Sequence, residues 1–149
     1  MRVFKFVFFI LFSINFSLAE SIDNLSAVLE VNNGYVRGLP PTVKNTSAYM
    51  TIMNTSDKAL ALKGARSSVV KSIMIHRTEQ EGAMMSMHHM ASLSIPVGGK
   101  LVLAPGGTHL MMMGINTIIK DGDIVDLVLL FEGGLEYSLS LPVRSVLSE

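Results

Sequence analysis

The chain has 149 residues, with twelve basic and twelve acidic side chains, 49% hydrophobic residues, eleven methionines and no cysteine. Balanced charge without a basic patch gives no footing for nucleic acid, and there is no acidic tail to form a charged partner surface. The lack of cysteine excludes disulfides, thiol redox chemistry and a thioredoxin-like domain.

At the N-terminus, Arg2 and Lys5 precede an apolar, Phe-rich run from Val7 to about Phe12. Ser17-Leu18-Ala19 then offers the small residues that a signal peptidase reads, so residues 1–19 are predicted to be a cleaved leader and 20–149 a single mature domain. The uninterrupted apolar run is too short for a bilayer span. No cysteine follows it, which excludes a lipid-modified N-terminal cysteine. Six of the seven phenylalanines lie in this leader, and so does part of the chain's hydrophobicity. Without Arg2 and Lys5, ten basic residues face twelve acidic ones, and the length allows one hydrophobic core.

The mature chain reads as short strands separated by turn residues. Leu25 to Val31 is followed by Asn32-Asn33-Gly34, a turn signal, and by a short extended piece around Tyr35. Ser47 to Met53 alternates and ends at Asn54-Thr55-Ser56-Asp57. Ala59 to Leu62 and Val69 to Ile75 come next, then Met84 to Met90, Leu93 to Pro96, Lys100 to Leu103 and His109 to Gly114. Asp123 to Phe131 and Leu135 to Leu141 close the domain through Glu132-Gly133-Gly134, a hairpin turn. Nine or ten strands at this spacing, with no long amphipathic helix, predict an all-β, immunoglobulin-like antiparallel sandwich with Greek-key connections.

One constellation stands out: His76-x10-Met87-x21-His109-x-Met111. All four histidines and eight of the eleven methionines lie between Met74 and Met113. Thioether sulfur is a soft donor with little affinity for Mg²⁺ or Ca²⁺, and imidazole suits copper, so this mixture points to Cu(I). In a strand, residues i and i+2 share a face, which lets His109 and Met111 address one ion while Leu110 and Met112 point away. Met87 and His76 must then converge on that face through folding. For any single methionine, core packing is the commoner role; Met50 and Met53 are assigned to it. The joint spacing of four donors is what favours ligation. Glu79 and Glu81 read as a solvated loop whose charge partly offsets that of the ion.

The chain also resembles a known family, the PCuAC copper chaperones, through that four-residue signature. The likeness extends over Gly34-Tyr35-Val36-Arg37, Pro40-Pro41, Ala48 to Asn54, Ile95 to Gly99 and Leu103 to Met111. The resemblance implies a cupredoxin-like fold in the periplasm and Cu(I) held by His76, Met87, His109 and Met111. It further implies a monomer that is no enzyme and passes copper to a cuproprotein such as a cytochrome c oxidase subunit, alongside a Sco-type protein. Neither nucleic acid nor stable membrane insertion belongs to that picture. Tyr35 replaces a tryptophan common in the family, a change expected to touch packing, and the doubled His88-His89 is unusual and offers an extra donor. The competing reading is a structural or adhesive sandwich whose methionines are core. A blue-copper carrier needs a cysteine thiolate, which is absent.

Other motifs carry little. Asn24, Asn45 and Asn54 each begin an N-x-Ser/Thr triplet but are ordinary turn residues. Gly98-Gly99 and Gly106-Gly107 precede no helix and read as tight turns, not phosphate loops.

Overall fold

The computed structural model describes Leu25 and residues 27–145; the expected leader over residues 1–19 lies outside them. Among the described residues, alternating apolar and polar residues, punctuated by Gly, Pro and Asn, build ten strands. These are β1 (Leu29–Gly38), β2 (Asn45–Asn54), β3 (Leu60–Arg66), β4 (Val70–Glu81), β5 (Met84–Met90), β6 (Leu93–Ile95), β7 (Lys100–Leu103), β8 (Thr108–Ile115), β9 (Ile124–Phe131) and β10 (Glu136–Ser145). Among the described residues no helix is long and apolar enough to cross a membrane.

The strands hydrogen-bond in the order β5-β4-β8-β2-β1-β10-β9-β3-β6, with β7 also on β2 and a β3–β4 contact joining the two halves of the path. Every pairing is antiparallel except β1 with β10, where Val36 faces Val143. This is the predicted all-β sandwich. Glu132–Gly134 forms the turn between β9 and β10, with Gly133 at φ 78° and Gly134 at φ 76°, values that glycine adopts without a Cβ penalty.

Several boundaries differ from the sequence expectation, among them the start of β1 and the longer β3 and β10, and two of the differences bear on the site. Asn32-Asn33-Gly34 does not turn the chain: it is a register shift inside β1, which pairs with β2 on both sides of the irregularity, and Asn33 takes φ 53° there. A bulge absorbs the extra residue, a use to which Asn and Gly are equally suited. β4 also runs beyond Ile75 to Glu81, because β5 supplies it with a ladder over seven residue pairs. Glu79 and Glu81 are therefore strand residues, not a loop. The β4–β5 hairpin closes at Gly82 (φ 63°) and Ala83, with Glu81 opposite Met84.

Ile73 and Ile75 of β4, Leu110 and Met112 of β8, and Ala48, Met50 and Ile52 of β2 point inward and are buried. Leu127, Leu129 and Phe131 of β9 and Leu141 and Val143 of β10 belong to the same core. Burying one such large apolar side chain contributes roughly 1.5–3 kcal/mol. A one-residue slip of β4 or β8 would drive that row into solvent, so the core fixes the register of these strands. The residues that alternate with the core row are displayed on the outer face of the sheet. That face carries the motif.

Candidate metal centre

His76 lies at the middle of a three-strand patch. Across the ladder it stands opposite His109 of β8 on one side and His89 of β5 on the other. One step along β4, Met74 faces Met111, which in turn faces Ser47 of β2. One step the other way, Thr78 faces Met87. Directly paired residues share a face, and diagonal neighbours are within reach of long side chains. Met87 and Met111 are thus the two diagonal neighbours of His76, from opposite strands and opposite directions. All four residues of the motif occupy one face of β5, β4 and β8.

Their settings differ. His109 is buried, His76 and Met111 are half-buried, and Met87 is 51% exposed. The His76 and His109 rings stand 6.2 Å apart between centroids at 66°. Two imidazoles sharing one ion through bonds of about 2.0–2.1 Å hold their centroids roughly 4.5–6.4 Å apart, depending on the angle at the metal. The pair fits that range.

The proton positions suit a metal as well. His109 Nδ1 lies 3.0 Å from the Gly107 carbonyl oxygen, which can only accept, so Nδ1 carries the hydrogen and Nε2 is the nitrogen left for a metal. Such an outer hydrogen bond fixes ring and tautomer for a ligand. His76 Nδ1 is buried and has no hydrogen-bond partner, the single such side-chain atom among the described residues. Leaving a buried polar atom unsatisfied costs about 1–3 kcal/mol, which a coordinated ion would offset. Burial, and then the neighbouring His109 and His89, hold the His76 pKa below its ordinary 6.5. A depressed pKa keeps the ring neutral and ready to coordinate. Ser47 Oγ donates to Met111 Sδ at 3.9 Å.

An aromatic row covers the inner end of the patch. Tyr49 sits 6.3 Å from the His109 ring, Tyr35 lies 5.2 Å from Tyr49, and the Arg144 guanidinium stacks over Tyr35 at 5.1 Å. Tyr49 shields His109, which accounts for a buried histidine on an outward-facing row.

The alternation rule applied to β8 placed Met112 and Leu110 in the core, and both are fully buried. Met50 is core as expected. Met53 is not: it is half-exposed and alternates with buried Ile52, on the outer row. Met74 was not singled out as a neighbour of the site, and of the doubled His88-His89 it is His89 that shares the rung of His76. The same i, i+2 rule would have given both once β4 was paired with β5. Glu79, Glu81 and His88 gather separately, their ligand atoms within 4.8 Å of one another on exposed residues. They lie on the opposite row from His76. Asn54 is buried, donating to the carbonyls of Lys58, Ile95 and Pro96 and accepting from Ser56, so it is a structural amide and not a glycan acceptor.

Solved structures share this architecture. The Cu(I)-bound form of DR1885 from Deinococcus radiodurans superposes with a TM-score of 0.64 at 31% identity, covering 85% of this chain and 81% of that one. The copper-bound PCuAC domain of PmoF2 superposes with a TM-score of 0.66 at 20% identity, covering 78% and 92%, a likeness of fold. Putative lipoprotein Lxx21020 of Leifsonia xyli subsp. xyli (strain CTCB07) is 32% identical over 100 residues, 66% of this chain. The chain spans 60% of that relative's length. The family model described as "Putative lipoprotein LpqE-like" matches residues 29–143, nearly all of the described domain, and the chain belongs to the LpqE-like family.

Proposed function

We propose that this protein is an exported Cu(I) chaperone whose ion is held by His76, Met87, His109 and Met111. The observation that carries the reading is the position of His76: a buried, unpartnered Nδ1 in a neutral ring, with a second imidazole opposite and two thioethers on its diagonals. A soft monovalent ion suits that donor set. All four ligands are neutral and none is a thiolate, so a recipient offering its own ligands can displace them one at a time. The exposed Met87 is the natural first ligand to leave. The competing reading, methionines as mere packing, is weakened because Met87 and Met111 lie on the outer row while Met50 and Met112 fill the core.

Export follows from the leader over residues 1–19, with the periplasm as the destination, and relatives described as lipoproteins support an extracytoplasmic setting. The recipient we favour is a copper-dependent respiratory protein such as a cytochrome c oxidase subunit, with a Sco-type protein as an intermediary. The domain acts as a monomer and performs no catalysis.

The test is a Cu(I) titration of residues 20–149 against a chromophoric chelator, followed by mixing with the copper-free acceptor domain of an oxidase subunit. Tight binding of one Cu(I) and its transfer to the acceptor are expected. Absence of binding would leave the domain a scaffold.

A further inference from the structure

The motif uses two of the three imidazoles on this face. His89 of β5 stands directly opposite His76, with ring centroids 5.8 Å apart at 71°. His109 stands opposite His76 on the other flank at 6.2 Å. Three imidazoles therefore occupy one register row across β5, β4 and β8. Each adjacent pair falls within the roughly 4.5–6.4 Å expected for two rings that share an ion. The ligand atoms of all three are not gathered within 4.8 Å, as those of Glu79, Glu81 and His88 are, so His89 must turn inward to complete the set. His89 is exposed, so its ring is free to swing about its side-chain torsions toward the pair without disturbing the core.

We infer that His89, His76 and His109 form a second ligand set at this site, one that takes a divalent ion of borderline softness, Cu(II) foremost. Imidazole suits divalent copper and zinc, whereas thioethers suit Cu(I), and among divalent first-row ions copper binds a nitrogen site most strongly. The two sets share His76 and His109. They differ in the third partner, which is His89 for the divalent ion and Met87 with Met111 for the monovalent one. The face thus accepts copper in either oxidation state by exchanging a thioether for an imidazole. The assignment shares its two central histidines with the chaperone reading but does not depend on the methionines.

The alternative home for a divalent ion is Glu79, Glu81 and His88, on the opposite row and within 4.8 Å of one another. The adjacent histidines His88 and His89 point to different faces, so single substitutions separate the two places.

The experiment is a Cu(II) titration of residues 20–149 against glycine as competitor, with paramagnetic resonance spectra to count coupled nitrogens, in the parent, His89→Asn, His88→Asn and a Met87→Leu, Met111→Leu double variant. Expected results are a three-nitrogen signal in the parent and a loss of about tenfold or more in Cu(II) affinity for His89→Asn. His88→Asn and the double methionine variant should keep both the affinity and the signal. Cu(I) affinity should be unchanged in His89→Asn and lowered in the methionine variant. Parental Cu(II) binding in His89→Asn, or its loss in His88→Asn instead, would overturn the inference. So would an equal loss of Cu(I) and Cu(II) in His89→Asn, since the two sets would then be one. A parent that binds no Cu(I) yet keeps the three-nitrogen signal would sink the chaperone reading and leave this one standing.

Discussion

His76 of β4 and His109 of β8 face each other across one rung of the sheet, 6.2 Å apart, one with an unpartnered Nδ1 and the other with Nδ1 tied to the Gly107 carbonyl. One ring is held in a fixed tautomer and the other lacks only a partner. In the proposed Cu(I) site this pair supplies the two imidazoles, and Met87 and Met111 supply the thioethers.

Replacing Met87 and Met111 together by leucine is expected to keep the fold and weaken Cu(I) binding strongly. Leucine conserves volume, and such swaps cost less than about 1.5 kcal/mol even in a core. Both positions lie on the outer row, so the thermal midpoint should barely move. Met50→Leu, in the core, should leave copper affinity unchanged. Chelator competition on the variants checks this, and parental affinity in the double variant would remove both methionines from the site.

Copper affinity should depend on pH through the histidines alone, since thioethers do not titrate. Affinity should fall on acidification with a limiting slope of at most two protons per Cu(I) for a set of two imidazoles, the His76 step lying below the ordinary imidazole range because its pKa is depressed. A flat profile would exclude imidazole ligands, and a slope near three would add His89 to the Cu(I) set.

Folding stability without copper carries the same signature of His76. Its folded pKa is depressed, so an unfolded chain takes up this proton at about 6.5 while the folded protein resists it. The contribution is present in full above 6.5 and is lost as pH falls from there through the lower folded value. The urea midpoint should therefore drop between about pH 7.5 and 5.5, and drop less in His76→Gln. An identical drop in the variant would show that His76 does not titrate differently on folding.

Asn54→Ala should destabilise the fold without direct damage to the metal face. The side-chain amide satisfies carbonyls of Lys58, Ile95 and Pro96 and binds Ser56 through its oxygen. Stranding those groups should cost about 1–3 kcal/mol, measured by urea unfolding. Copper affinity in the folded fraction should stay at the parental level.

The proposed leader over residues 1–19 is testable in its own right. Expressed from the full-length chain in a Gram-negative host, the protein should be recovered from the periplasm beginning at Glu20. Intact mass measurement decides it, and a retained N-terminus would remove the cleavage site after Ala19.

Much of this was readable along the chain because it is governed by local rules. Alternation placed His109 and Met111 on one face and Leu110 and Met112 on the other, since a strand has a period of two whatever it pairs with. Glu132-Gly133-Gly134 had to turn because consecutive glycines relax the backbone where φ is positive. The chemistry of the site was equally local, since imidazole and thioether select a soft ion before any folding occurs.

Pairing was not readable in the same way. Asn32-Asn33-Gly34 carries a turn signal but lies beside β2, whose ladder continues on both sides and turns the signal into a bulge. The polar stretch from Arg77 to Glu81 resembles a loop until β5 supplies its hydrogen-bond partners. Met53 looks like a core residue by type, yet its neighbour Ile52 takes the inward place. The type and order of the candidate donors can be read from the residues themselves. That His89, His76 and His109 share a rung, with Met87 and Met111 on the diagonals, followed from strand register, and register is imposed by long-range core packing between segments far apart in the chain.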